Sequence, residues 1–307
     1  MIRNDISPSP ERLFKERGPF FHVCSKPVEC ILLLDDDDRK TALLYLALAA
    51  FESSVVILAY AIMSNHIHVL IAGDAPEKFY RIFMKRMNVY LSRHGDRGRK
   101  FTEEPTIVPV NTLMQFMNVT AYVIRNQYVV DQNVNPVSHI WNSGYLYFNP
   151  VMGQLLVDEK YTSAEALSVR KVREITHSKE SSLPPGSLKF RSEFPAPSSF
   201  VDYRLVENLF SCARQFVAKV FRNVEGQIET AMMLGETPVI SDEEMSRLMW
   251  KYSSNEWGVQ GIRNLSPAQR INLAKHMKYA LLASNGQISR ITLIPRKDVD
   301  ALFPNAR

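Results

Sequence analysis

The chain has 307 residues, 46% hydrophobic and 22% charged, with a formal charge of +5 and a pI near 9.0. That length accommodates one large domain or two ordinary ones, and the composition excludes a disordered or fibrous chain. Three cysteines (Cys24, Cys30, Cys212) are too few and too scattered for a disulfide framework or a four-thiolate zinc site, so a reducing cytoplasmic setting is expected.

The first residues, MIRNDISPSPERLFKERG, are polar and punctuated by proline, without the apolar core of a secretory signal. The segment PFFHVC, residues 19–24, predicts a first strand. Asp35, Asp36, Asp37 and Asp38 precede the run TALLYLALAAF. Acidic residues at a helix start cap free N–H groups and suit the positive end of the dipole, a better account of the run than a metal cluster. The apolar stretch from Thr41 to Met63 is broken by Phe51-Glu52-Ser53-Ser54, Ala/Leu-rich before and β-branched after. It predicts a helix followed by a strand, and no membrane span.

Strands are expected at 55–63 and 66–72, then a helix over 76–92 and a basic loop over 93–100. TIVPV at 106–110 fits an edge strand, because Pro109 cannot donate a ladder bond. Asn111 then caps a helix running to about residue 130. This order predicts an α+β class with a ferredoxin-like catalytic domain over 1–150, an antiparallel split βαβ sheet with helices on one face. Residues 151–199, with SKESSLPPG and PAPSS, predict a linker, and 200–307 an all-α region. There, a helix after Ser266-Pro267, a short one near 287–291 and a last one through Val299 and Leu302 are spaced like a helix-turn-helix, although any small helical bundle produces similar spacing.

The chemistry centres on ILAYAIMSNHIHVLI, residues 57–71. In a strand, residues i and i+2 share a face about 6–7 Å apart. His66 and His68 therefore project together while Ile67, Val69 and Ile71 face a core. Two imidazoles on a rigid platform suit one cation, though strand-edge histidines that satisfy local hydrogen bonds are at least as common. The pair leaves zinc, iron, nickel or copper open, and magnesium needs added oxygen ligands. On the helix after TIVPV, Tyr122 and Asn126 are four residues apart and share a face. They offer a phenol and an amide oxygen to the same centre, or a half-buried core aromatic and its neighbour.

Taken together, FFHV, LAYAIMSNHIHVLI, YVIRNQ and Trp141-Asn142-Ser143-Gly144-Tyr145 resemble, in order and spacing, the single-tyrosine HUH transposases of insertion sequences and their REP-associated relatives. The resemblance spans about residues 12–150. It implies a ferredoxin-like fold, a divalent cation (Mg2+ or Mn2+), hairpin-bearing single-stranded DNA as substrate, and cleavage and rejoining through a 5′-phosphotyrosine. Carried across, His66 and His68 match the paired metal ligands, Tyr122 the nucleophile, and Asn126 the third ligand. Gln127 competes with Asn126, because insertion-sequence members use glutamine there, and Tyr90 is an alternative nucleophile. The resemblance implies either a homodimer with exchanged helices or a monomer. The chain has no G-x-x-x-x-G-K-[ST] loop, which suits strand transfer without nucleotide hydrolysis.

Lys85, Arg86, Arg93, Arg97, Arg99 and Lys100 cluster around the basic loop and are the candidates for phosphate contacts. Phe79, Tyr80 and Phe83 offer stacking surfaces for single strands, or simply core at helical spacing. The C-terminal region is a candidate for duplex contact. A catalytically idle DNA-binding protein, or an unrelated His-ligated zinc hydrolase, are the competing functions.

Overall fold

A computed structural model of the chain describes residues 8–304 except 29, 95–98, 131–133, 152–160, 181, 184–187, 192–193, 222–223, 237 and 239. It divides into two compact units, before and after the junction of Phe221 and Arg222. Among the described residues no helix is long and apolar enough to cross a membrane.

The first unit begins α1 (Pro10–Arg17), β1 (Phe20–Ser25), α2 (Asp36–Ser53), β2 (Val56–Ile62), β3 (Ile67–Ala72), α3 (Pro76–His94), β4 (Pro105–Pro109) and α4 (Leu113–Val130). The four strands form an antiparallel sheet in the order β2-β3-β1-β4, with Pro109 on the edge strand β4. The acidic run starts α2 as its composition predicts: the Asp35 carboxylate accepts from the Asp38 N–H. Asp38 has a second use. It is buried, and accepts from the Leu34 N–H, the Tyr90 hydroxyl and the Arg99 guanidinium, joining α2, α3 and the segment before β4.

By strand alternation Phe20 and His22 on β1 share a sheet face with His68 and Leu70 on β3. Helix α4 lies on that face, with Phe116 edge-on to Phe20 at 5.1 Å and Tyr122 edge-on to His68 at 5.8 Å between ring centroids. Across from Leu70 and His68, β2 presents Ala59 and Ala61, small enough for α4 to approach closely. Val23, Ile67, Val69 and Ile71, on the opposite face, are equally buried, and α2 and α3 pack on each other and on the sheet. Helices on one face is therefore corrected: both faces of the central strands are covered. The unbroken apolar runs VILAYAI and VLIA carry that signal, since a sheet with one wet face alternates.

The segment around Trp141 braces α4 against β2. Ile62 N–H donates to the Trp141 carbonyl, Tyr60 N–H donates to the Ser143 hydroxyl, and the buried Asn142 amide donates to the Ile124 carbonyl on α4. Gly144 is required by this crowding: a Cβ there would lie 2.5 Å from the Pro136 carbonyl oxygen and 2.7 Å from Ile124 Cγ2.

The described residues of the stretch expected to be a linker form regular structure. A small antiparallel sheet of β5 (Tyr161–Ser163), β6 (Lys189–Arg191) and β7 (Phe194–Pro195) is accompanied by α5 (Val169–Thr176). Tyr45 on α2 donates to the Thr176 carbonyl, and Asp202 N–H donates to Ile57 on β2. Helices α6 (Tyr203–Phe210) and α7 (Ala213–Val220) also belong to this unit, so its boundary lies at 221 and not at 150. Of the prolines and serines that suggested a tether, Pro197, Ser198 and Ser199 form a 3-10 turn, while Ser181, Pro184 and Pro185 lie outside the described residues.

The second unit is helical: α8 (Val224–Met233), α9 (Asp242–Trp257), α10 (Pro267–Tyr279), α11 (Asn285–Thr292) and α12 (Arg296–Leu302). Its core gathers Met245, Met249, Leu273, Met277, Ile288, Val299 and Phe303.

Candidate functional site

Three imidazoles and a phenol meet where β1, β3 and α4 adjoin. His66 sits in the turn before β3, and Met63 N–H donates to its carbonyl to close the β2–β3 hairpin. The turn is pinned from outside: Leu32 and Leu33 N–H groups donate to the Ser64 carbonyl, and Asn65 Nδ2 donates to the Val28 carbonyl at 2.7 Å. That bond fixes the Asn65 amide, so its Oδ1 faces His66 Nδ1 at 2.7 Å and must accept from it. This places a proton on His66 Nδ1, so that in the neutral ring the lone pair is on Nε2.

His66 Nε2 lies 2.9 Å from His68 Nε2, and His68 Nδ1 lies 3.2 Å from His22 Nε2. His22 and His68 are fully buried, and His66 is partly exposed. Two proton arrangements satisfy this row. In one, His22 donates to His68 and His68 donates to His66. In the other, His68 carries its proton on Nδ1 and donates to His22, leaving both Nε2 lone pairs aimed at one point. Two nitrogens each about 2.1 Å from a cation and at right angles to it are about 3 Å apart. The 2.9 Å separation matches that spacing, so the donor pair fits a divalent cation. His22 then has the place of the outer partner that ligating histidines need to fix their tautomer.

Tyr122, largely buried on α4, stands edge-on to His68 and to His22, with centroids 5.8 and 6.5 Å away. The structure thus brings His66, His68 and Tyr122 together. Asn126 shares the buried face of α4, but its Nδ2 turns back to donate to the Tyr122 carbonyl. Gln127 reaches the sheet instead and donates to the Ile62 carbonyl at 2.6 Å. Tyr90 is differently placed: its hydroxyl donates to Asp38 and its ring stacks on His94. Burial first, and then the Asp38 carboxylate, hold its pKa well above the ordinary phenol value.

Of the basic residues, Lys85 and Lys100 are exposed, and Arg93, also exposed, donates to the His177 carbonyl. Arg86 is paired with Glu52 and Glu180. Arg99 is a correction to a phosphate-facing role, because its guanidinium is buried against Asp38 and the Leu32 carbonyl. Arg97 lies outside the described residues. Lys85 lines a groove along α3 together with Arg81, but Glu77, Glu103 and Glu104 share its walls, so its charge is mixed. Phe79, Tyr80 and Phe83 are core, each at most 1% exposed.

His22 is the member of the cluster that sequence reasoning missed. FFHV entered as a strand and as one segment of the family resemblance, with no role for His22, and nothing in that tetrapeptide gives the cross-strand register that sets His22 diagonally beside His68.

No family model matches the chain, and no curated protein matches it. Among solved structures it is similar to one described as the REP-associated tyrosine transposase bound to a REP hairpin, with 8% sequence identity and a TM-score of 0.37. The match covers 42% of this chain and 79% of that one.

Proposed function

We propose that the chain is a metal-dependent tyrosine transposase or single-strand DNA endonuclease, in which His66 and His68 hold a divalent cation and Tyr122 is the nucleophile. The observation that carries this reading is the convergence of two imidazole Nε2 atoms at 2.9 Å with the Tyr122 ring packed across His68. The β-α-β-β-α-β order and the strand order β2-β3-β1-β4 are those expected of a ferredoxin-like domain and support it. Mg2+ or Mn2+ fits if oxygens of water and substrate complete the shell, with Asn126 or Gln127 as the amide ligand. Bound there, the cation supplies charge stabilisation for the attacked phosphate.

The chain's own residues do the rest. His22 and Asn65 hold the two ligating rings in register, and α4, braced by Asn142, sets the phenol against His68. The Tyr122 oxygen attacks phosphorus and loses its proton, the P–O3′ bond breaks, and the departing 3′-oxygen takes up a proton. The bond energy is retained as a 5′-phosphotyrosine, so another 3′-hydroxyl reverses the step without nucleotide hydrolysis. Incubating full-length protein and its Tyr122→Phe variant with hairpin-bearing single strands and Mn2+ tests this. A covalent adduct with the parent and none with the variant is expected. An adduct that survives in the variant, or none with the parent across a broad hairpin panel, refutes it.

A further inference from the structure

The second unit carries a feature that strand cleavage does not use. Helix α11 ends after eight residues at Leu293, whose φ of 60° lies in the left-handed region, and α12 begins at Arg296 after the three-residue turn Leu293-Ile294-Pro295. A β-carbon at this position is unfavourable, and glycine is the usual occupant. The leucine is held there by local bonds: Leu293 N–H donates to the Ser289 carbonyl, and the Ser289 hydroxyl donates to the Ile294 carbonyl at 2.8 Å. The crossing of the helices is fixed by one buried side chain. Asn285 accepts from Lys278 on α10 and donates to Asp300 on α12 and to the Phe303 carbonyl. Ile288 and Ile291 of α11 pack with Val299 and Phe303 inside.

On α12, Arg296, Lys297, Asp298, Ala301 and Leu302 are exposed, and Arg296 is ion-paired with Asp300, so the exposed side is mostly polar. Charge is distributed unevenly over this unit. Residues 259–304 hold seven lysines and arginines against two acidic residues, whereas 222–258 hold three against seven. Beside Leu293, an open groove of about 910 Å3 is lined by Trp250, Lys251, Arg263 and Arg247, the last ion-paired with Glu243. A helix pair with a three-residue turn, a mostly polar outer helix and basic flanks complements the shape and charge of a duplex major groove.

We propose that this unit binds duplex DNA, with α11 and α12 as its helix-turn-helix and the first turn of α12 laid in the major groove. Lys297 reaches base edges or phosphate there, Asp298 accepts from a cytosine amino group, and Lys251 and Arg263 contact the flanking backbone. The inference stands apart from the cleavage reading, because it concerns residues that form no part of the histidine cluster.

Fluorescence anisotropy of the full chain on a labelled mixed-sequence duplex, across a salt series, tests it. Lys297→Glu is expected to weaken duplex binding at least tenfold and to shallow the salt slope by one to two. Lys251→Glu is expected to weaken binding uniformly across sequences. Both positions are solvent-facing, and an unchanged melting curve verifies that the variants fold. Adduct formation on single-stranded hairpins should be unaffected. Failure of the parent to bind duplex, or affinities within twofold for parent and both variants, overturns the proposal. So does a Lys297→Glu variant that changes only the oligomeric mass, which would make α12 a self-association surface.

Discussion

Replacing His22 offers the sharpest view of how the cluster is held. His22→Leu keeps comparable bulk but removes the nitrogen 3.2 Å from His68 Nδ1. When His68 ligates through Nε2 its proton sits on Nδ1, and in the variant that donor is left buried without its acceptor. An unsatisfied buried donor costs about 1–3 kcal/mol, which is about a five- to 150-fold loss in affinity for a cation that demands this tautomer. Loss of outer-shell partners at metal-ligating histidines falls in a similar range, about 10–100-fold. His22→Gln places an amide near the lost nitrogen and should recover much of the affinity. Mn2+ titration followed by electron paramagnetic resonance reads binding directly, without DNA or turnover. Equal Mn2+ affinity in His22→Leu and the parent would refute the positioning role. Equal loss in His22→Leu and His22→Gln would assign the effect to packing.

Three further outcomes follow from the fold. Gly144→Ala forces a methyl against the Pro136 carbonyl and Ile124, and overpacking of this kind should cost about 1–3 kcal/mol in a denaturant titration; an unchanged midpoint would contradict the close approach. Asp38→Ala strands the buried Arg99 and should lose about 3–5 kcal/mol, whereas Asp36→Ala, on the exposed side of the same acidic run, should lose under about 1 kcal/mol; equal effects would contradict the hub. Burial raises both the Tyr45 and Tyr80 phenols to about 12. With folded values above the unfolded value of about 10, their contribution is full below pH 10 and is lost as pH rises through 12. Alkaline unfolding across that window, followed by circular dichroism with tyrosinate absorbance, should shift to higher pH in a Tyr45→Phe variant; no shift would contradict it.

Much of this architecture was legible because local signals agreed with tertiary ones. The acidic start of α2, the proline-marked edge strand β4 and the order of strands and helices around MSNHIH all follow from capping, backbone chemistry and periodicity. What escaped depends on contacts distant in sequence. The second cover on the sheet is written only as a lack of alternation, and α4 lies on it because Ala59 and Ala61 are small. Residues 151–199 carry turn chemistry that a tether and a tightly turned small sheet share. The Asp38–Arg99 pair spans 61 positions, and no local pattern distinguishes that arginine from its exposed neighbours. In the candidate site, i, i+2 spacing of the histidines and the helix position of Tyr122 offered candidates, and the family resemblance supplied their expected roles. His22 needed the register of β1 on β3.

The central claim is that the oxygen of Tyr122, whose ring lies against His68, becomes covalently joined to a DNA 5′-phosphate. The most direct measurement is to trap the adduct on hairpin-bearing single strands with Mn2+, digest it, and map the modified residue by mass spectrometry. The account predicts a nucleotide phosphate on the peptide containing Tyr122 and its loss in a His66→Ala, His68→Ala double variant. A phosphate mapped to Tyr90 or any other residue, or adduct yield unchanged without the two histidines, would contradict it.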